Sequence, residues 1–185
     1  MVDVNPDTIM LGEYTGDAAY EVQGDGWQGA MTYANFTRPL WRWMFNLNEQ
    51  ERYLQNMGYI GRAETATEFV QSHVKFAAGF PWHVRSNNMN ALNTHDTPRF
   101  KSYTLPGAQK VAAGLQFTMP GIPVIWAGDE FGLDGFNGEK SRTPIPWNDE
   151  RPSDRSMLEV YADLAKLRKK HSALTGGSVR FVYSD

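Results

Sequence analysis

Short apolar runs that each end in polar or acidic residues recur along the chain. Residues 8–11, 89–94 and 122–126 are largely apolar or β-branched, which predicts buried strands. In parallel α/β proteins the side chains that carry chemistry collect at the carboxyl ends of such strands. The residues at these three ends are Glu13, then His95 with Asp96, and then Asp129 with Glu130.

The segments between these strands predict a further strand, a connector and several helices. Residues 30–33 predict a further strand, and residues 50–64, which contain Gly58 and Gly61, predict a connector. Thr65 or Thr67 is the expected N-cap of a helix that ends at Gly79. The remaining predicted helices cover residues 39–46, a stretch that opens at Pro106-Gly107, and residues 153–171.

Strands that alternate with helices predict an α/β fold whose parallel strands are joined by right-handed crossovers. We find about four strand-helix units, whereas a closed (β/α)8 TIM barrel needs eight units and about 250 residues. We therefore expect a partial TIM barrel over residues 1–172, its C-terminal half. Residues 173–185, with an apolar stretch at 179–183, are expected to begin a β domain.

Composition and charge exclude several classes of function. The chain has 185 residues, no cysteine and a formal net charge of −3, so disulfides, thiolate chemistry and nucleic-acid binding are not expected. The sequence shows neither a membrane-spanning run nor a leader pattern, which favours a cytoplasmic over a secreted location. Aromatic residues make up 13% of the chain, enough to supply both a core and stacking surfaces for sugars.

Five segments, in this order, resemble the α-amylase family of glycoside hydrolases. The likeness is greatest to its neopullulanase, cyclomaltodextrinase and maltogenic amylase group, and the segments extend over nearly the whole chain. Their order and spacing make the signal more specific than any single motif would be. The segments are Gly12-Glu13, residues 27–33 (WQGAMTY), 92–97 (LNTHDT), 120–130 (PGIPVIWAGDE) and 142–147 (RTPIPW).

The resemblance implies an enzyme that acts on α-linked glucose oligosaccharides with retention. Glu13 would be the general acid/base, and Asp96 the second carboxylate, which binds hydroxyls of the distorted sugar. His95 would donate a hydrogen bond to that sugar. For Glu13 to hold a proton near neutral pH we expect it to be partly buried beside another carboxylate. Tyr14, Trp27 and Tyr33 are candidates for stacking on glucose rings, with core packing as an equal alternative for each.

One part of the family's machinery has no counterpart here. A retaining glycosidase needs a nucleophilic carboxylate about 5 Å from its acid. In the family that aspartate lies on the strand before the acid, with an arginine two residues earlier, and this chain starts too late to contain them. Common calcium ligands would also lie upstream. We therefore expect the chain alone to be inactive and to self-associate through its exposed sheet edges.

Other acidic residues are expected to be structural. Asp129 and Glu130 are predicted to bind loop amides or Arg142 rather than to act in catalysis. Asp134, Asn137 and Glu139 offer oxygen ligands at loop spacing, but calcium takes six or more, so no metal site and no cofactor are predicted.

Three functions therefore compete. The first is a glycosidase or an α-glucan transglycosylase, which share their chemistry. The second is a carbohydrate-binding or interaction module that descends from such an enzyme. A metal hydrolase on a similar barrel is the third, but of the histidines only His95 falls at a strand end.

Overall fold

A computed structural model describes residues 3–148, 150 and 152–185. Its strands are two or three residues long, and its helices lie between and after them along the chain. The strands are β1 (Leu11–Gly12), β2 (Gly29–Ala30), β3 (Tyr53–Leu54), β4 (Gly58–Tyr59), β5 (Met89–Ala91) and β6 (Ile122–Val124). The helices are α1 (Arg38–Met44), α2 (Ala66–Ala77), α3 (Trp82–Arg85), α4 (Ala108–Thr118), α5 (Gly138–Ser141), α6 (Arg155–Lys170) and α7 (Ala173–Gly176).

Four of the strands run parallel in the spatial order β1-β2-β5-β6. Leu11 pairs with Gly29 and Met89 with Ile122, while a single bridge between Met31 and Met89 joins β2 to β5. The strands are shorter than predicted, since ladder pairing begins only at Leu11 in the first and stops at Val124 in the last. Their carboxyl ends nevertheless lie at one edge, where the predicted site residues follow.

Helix α2 begins at one of the two N-caps predicted from the sequence. Thr65 Oγ1 accepts a hydrogen bond from the Glu68 amide at 3.1 Å, and Glu68 Oε2 accepts one from the Thr65 amide at 2.8 Å. These reciprocal bonds form a capping box, which satisfies two donors that a helix start otherwise leaves unpaired. Thr65 is therefore the cap of α2, and Thr67 lies inside the helix.

A large aromatic cluster holds the chain segment that leads to His95. Trp41 on α1 is fully buried and donates from Nε1 to the Leu92 carbonyl oxygen at 2.7 Å. The ring of Phe100 meets Trp41 edge to face at 5.5 Å. Because Leu92 and Phe100 flank residues 93–99, this packing fixes both ends of the site segment, which is the core role that the abundance of aromatic residues allowed.

Two predicted segments differ in the structure. Residues 50–64 are not a simple connector, since β3 and β4 form an antiparallel hairpin in which Leu54 and Met57 are buried. Residues 179–183, predicted as a strand, carry no strand assignment, because they pack by side chains alone; Phe181, for example, meets the ring of His73. Over the described part of the chain, no helix is both long and apolar enough to cross a membrane.

Candidate active site

Three side chains predicted from the sequence converge at the carboxyl edge of the parallel strands. Glu13 follows β1, and His95 and Asp96 follow β5, so that β2 lies between the two groups. One ligand atom from each of Glu13, His95 and Asp96 lies within 4.8 Å of the other two. Carboxylates 83 positions apart in sequence thus face one small volume.

Asp96 is held from several directions. Its Oδ1 lies 3.1 Å from Arg142 Nη2 and 3.4 Å from His95 Nε2. Arg142 also donates from Nε to the His95 carbonyl oxygen at 2.9 Å, so one guanidinium contacts both residues. Thr94 Oγ1 accepts a hydrogen bond from the Asp96 amide at 3.2 Å. These bonds limit the directions in which the Asp96 carboxylate can point.

Glu13 is less enclosed than predicted. Its side chain is exposed, and among the described residues β1 pairs only with β2. The partial burial expected for a protonated general acid is therefore not present in this structure. A cavity of about 320 Å³ adjoins it, with Tyr14 and Trp27 on its walls.

The three predicted stacking residues divide into two groups. Tyr14 is 48% exposed and Trp27 is 45% exposed, so each ring offers a face to a ligand. Tyr33 is only 2% exposed, which favours core packing, the alternative predicted for it, over stacking on a glucose ring. It lies in the π-helical turn Tyr33–Thr37 directly after β2, and its hydroxyl bonds to Thr94 Oγ1 at 2.9 Å.

The buried Tyr33 phenol interacts electrostatically with both carboxylates. Burial raises the pKa of the Tyr33 phenol, and the negative charges of Glu13 and Asp96 raise it further, while the hydrogen bond with Thr94 lowers it. The phenol therefore stays neutral and serves the site as packing and as a hydrogen-bonding group.

The third acidic strand end does not join the site. Asp129 is 2% exposed and accepts a hydrogen bond from Arg99 Nη1 at 2.9 Å, while Asn93 Nδ2 donates to both of its oxygens. Burial raises the pKa of Asp129 to about 6, and Arg99 acts against that rise. Glu130 accepts from the Gly128 amide, as predicted, but the predicted alternative partner Arg142 contacts Asp96 and Glu139 instead.

The oxygen ligands of the 134–139 loop have separate partners. Asp134 pairs with Lys101, Asn137 caps α5 and Glu139 pairs with Arg142. Among residues 3–148, 150 and 152–185, the one cluster of three or more acidic or histidine side chains with converging ligand atoms is Glu13, His95 and Asp96. Three ligands fall short of the six or more that calcium takes.

Several residues around the site were not predicted from the sequence. Trp126, after β6, places its ring 5.9 Å from that of His95. Arg38 at the start of α1 and Asn56 in the β3–β4 turn contact the segments that carry the two acids. Trp126 and Arg142 lie within segments 120–130 and 142–147, which resemble the α-amylase family, so the sequence offered a signal for them. The positions of Arg38 and Asn56 near the site depend on tertiary contacts, for which the sequence gives no local signal.

Comparison with known proteins gives a consistent result. Residues 2–153 match the family model described as alpha amylase, catalytic domain. The chain is 28% identical over 183 residues to a cyclomaltodextrinase of a Bacillus species, covering 98% of this chain and 30% of that protein. It is also 28% identical to neopullulanase 2 of Thermoactinomyces vulgaris, again over 98% of this chain and 28% of that protein.

Solved structures agree on the fold. A protein of Thermus thermophilus superposes with a TM-score of 0.88 at 26% identity, covering 100% of this chain and 39% of its own. The Nostoc punctiforme debranching enzyme gives a TM-score of 0.87 at 25% identity, with coverage of 99% and 38%. The chain thus spans between a quarter and two fifths of the length of these proteins.

Proposed function

The chain belongs to the alpha-amylase family, and from that premise we propose that it carries the general acid/base and second carboxylate of a retaining α-glucan hydrolase. The single observation that carries the proposal is the convergence of Glu13, His95 and Asp96, whose ligand atoms lie within 4.8 Å of one another. This arrangement supports an acid that protonates the leaving oxygen beside groups that bind the sugar, while the nucleophilic carboxylate that retention also requires comes from outside these residues. The chain itself would then form about four strand-helix units of the barrel over residues 1–172, with a β domain beginning at 173.

Glu13 acts first as an acid and then as a base. A nucleophilic carboxylate supplied from outside these residues attacks the anomeric carbon, the glycosidic bond breaks, and the leaving oxygen takes the proton from Glu13. In the second step Glu13 removes a proton from water, which displaces the nucleophile and releases the sugar. If a sugar hydroxyl replaces that water, the outcome is transglycosylation.

Asp96 and His95 bind the sugar that changes shape in the reaction. The Asp96 carboxylate accepts hydrogen bonds from ring hydroxyls, and His95 donates to the same ring. Arg142, 3.1 Å from Asp96, supports this assignment because it holds the carboxylate in a fixed direction. Tyr14 and Trp27 are exposed beside Glu13 and would contact neighbouring glucose units through their ring faces.

The relatives support a substrate class. Proteins named cyclomaltodextrinase and neopullulanase align with nearly the whole chain, which supports α-linked glucose oligosaccharides as ligands. The second candidate is a binding module without catalysis. The exposure of Glu13 supports it, because a general acid is expected to be partly buried.

Replacement of Glu13 tests the proposal. In the complete gene product that contains this chain, we expect Glu13→Gln to lower kcat on a cyclomaltodextrin by about 10²- to 10⁴-fold. Glu159→Gln, an equal change at an exposed position of α6, is the matched control and should leave kcat unchanged. Full activity of Glu13→Gln would remove Glu13 from the mechanism. An inactive wild type that still binds maltotetraose by calorimetry would favour the binding module.

A further inference from the structure

A chain of hydrogen bonds joins the segment that carries Glu13 to the segment that carries Asp96. The guanidinium of Arg38 donates from Nη1 to the carbonyl oxygen of Thr15, two residues after Glu13. Its Nη2 donates to the carbonyl oxygen of Asn56 at 2.9 Å. Asn56 in turn donates from Nδ2 to the carbonyl oxygen of Asp96 at 2.8 Å. The path Thr15, Arg38, Asn56, Asp96 therefore crosses the cleft from one rim to the other.

Asn56 occupies an unusual backbone position. Its φ is +58°, and among the described residues it is the one non-glycine residue with a positive φ. Asparagine tolerates this left-handed region better than most residues, although it is uncommon and often found near functional sites. From this position the side chain donates to the carbonyl oxygen of Asp96.

The turn that holds Asn56 is anchored on both sides. Leu54 and Met57 are buried in the aromatic cluster that contains Trp41. Gln55 Oε1 accepts a hydrogen bond from the Gly138 amide at 2.9 Å, which ties the turn to α5. A turn fixed in this way can transmit position, because neither Asn56 nor its neighbours can move without breaking packing or a hydrogen bond.

We propose that Arg38 and Asn56 are positioning residues that set the distance between the Glu13 and Asp96 carboxylates. The inference rests on the proposed function, since it concerns the geometry of the same reaction. β2 lies between β1 and β5, so the two strands that precede the acids are joined only through β2, and the hydrogen bonds of Arg38 and Asn56 connect the segments after them more directly. A misplacement of about 1 Å in such a site can cost about a hundredfold in rate.

A role in shaping the turn is the alternative that the experiment must separate. In the complete gene product, Asn56→Gly keeps the positive φ at no steric cost but removes the donor to Asp96. We expect kcat on a cyclomaltodextrin to fall about tenfold to a hundredfold, with KM within about twofold and an unchanged melting temperature. Wild-type kcat in Asn56→Gly would show that only the turn shape matters and would overturn the proposal.

Two further variants protect the test against misfolding and coincidence. Asn56→Asp keeps size and tolerance of the left-handed region but replaces the donor by an acceptor, so its kcat should fall at least as far. Arg38→Lys replaces the two separate donor nitrogens of the planar guanidinium by one nitrogen, so the spacing of the two carbonyl contacts is not kept, and its loss should resemble that of Asn56→Gly. Arg38 and Asn56 act through the same series of hydrogen bonds. In the double variant Arg38→Lys/Asn56→Gly, kcat should therefore fall about as far as in the more severe single variant. A fall in kcat equal to the product of the two single effects would contradict a shared path.

The controls separate this inference from the proposed function. Asn48→Gly makes the same change at an exposed loop residue and should leave kcat and KM unchanged. If Glu13→Gln abolishes turnover while Asn56→Gly is fully active, the positioning role fails and the proposed function stands. If Glu13→Gln is fully active, the proposed function fails first.

Discussion

The buried guanidinium of Arg99 donates to the carboxylate of Asp129 at 2.9 Å, and the two side chains are 1% and 2% exposed. Arg99 also donates to the carbonyl oxygens of Ala127 and Ser141. The pair therefore joins the segment after β5 to the loop after β6. Asp129 follows a strand, as Glu13 and Asp96 do, but this ion pair gives it a structural role.

Removal of one member of this pair should be severe. We expect Arg99→Met to lower the free energy of unfolding by about 3–5 kcal/mol, because it leaves the Asp129 carboxylate buried without its partner. Urea denaturation of the complete gene product measures this loss. Lys166→Met breaks an exposed pair with Asp163 on α6 and should cost less than about 1 kcal/mol. Equal losses in the two variants would argue against a buried ion pair.

A buried histidine should make stability depend on pH. His73 is 2% exposed, its Nδ1 lies 2.7 Å from the Asn35 carbonyl oxygen, and burial lowers the pKa of His73 to about 4. The unfolded chain, with a histidine pKa of about 6.5, binds the proton more readily, so the stabilisation is complete above pH 6.5. We expect about 3 kcal/mol to be lost as pH falls from 6.5 to 4.

Variants identify the group responsible. His73→Gln should flatten this part of the pH profile, measured as urea midpoints between pH 7 and pH 4. His171→Gln, at the exposed end of α6, should leave the slope as it is. An unchanged slope in His73→Gln would assign the effect to other groups.

Two glycine-to-alanine substitutions should change the free energy of unfolding in opposite directions. A Cβ on Gly29 would lie 2.4 Å from the Asn87 carbonyl oxygen, which is backbone and cannot move aside, so Gly29→Ala should cost about 1–3 kcal/mol. Gly114 lies inside α4 with open space around its Cβ position, so Gly114→Ala should add about 0.5–1 kcal/mol. Thermal and urea denaturation of both variants test the prediction, and stabilisation by Gly29→Ala would contradict the close approach seen here.

We expect the 185-residue chain, expressed by itself, to self-associate. Among the described residues β1 pairs on one side only, and Ile9 just before it is 56% exposed. Unpaired strand edges with exposed apolar side chains favour association. Size-exclusion chromatography with light scattering should show oligomers, and a monodisperse monomer would be the contrary result.

Local signals in the sequence predicted the features that depend on neighbouring residues. The parallel strands, the Thr65 cap and the acidic strand ends all follow from short-range patterns and turn residues. The convergence of Glu13 with Asp96 was predicted from the parallel arrangement, since carboxyl ends of parallel strands share one edge.

Features that depend on distant contacts were not predictable. For Tyr33, stacking and core packing were equal alternatives, and only the tertiary structure, in which its hydroxyl bonds to Thr94, decides for burial. Loop amides or Arg142 were the predicted partners of Asp129, whereas its arginine partner in the structure is Arg99. The β3–β4 hairpin was missed because its strands are two residues long, although Asn56 and Gly58, both at positive φ, are typical turn residues.

The buried Arg99 guanidinium has a consequence for how the cleft opens and closes. It binds the loop after β6 at three points, and Trp126 Nε1 adds a fourth bond within that loop, to the Ser141 carbonyl oxygen. Arg142, next in the chain, holds both His95 and Asp96. The segment after β5 and the loop after β6 should therefore open together. In hydrogen–deuterium exchange, their amides should lose protection at the same rate, as one cooperative unit.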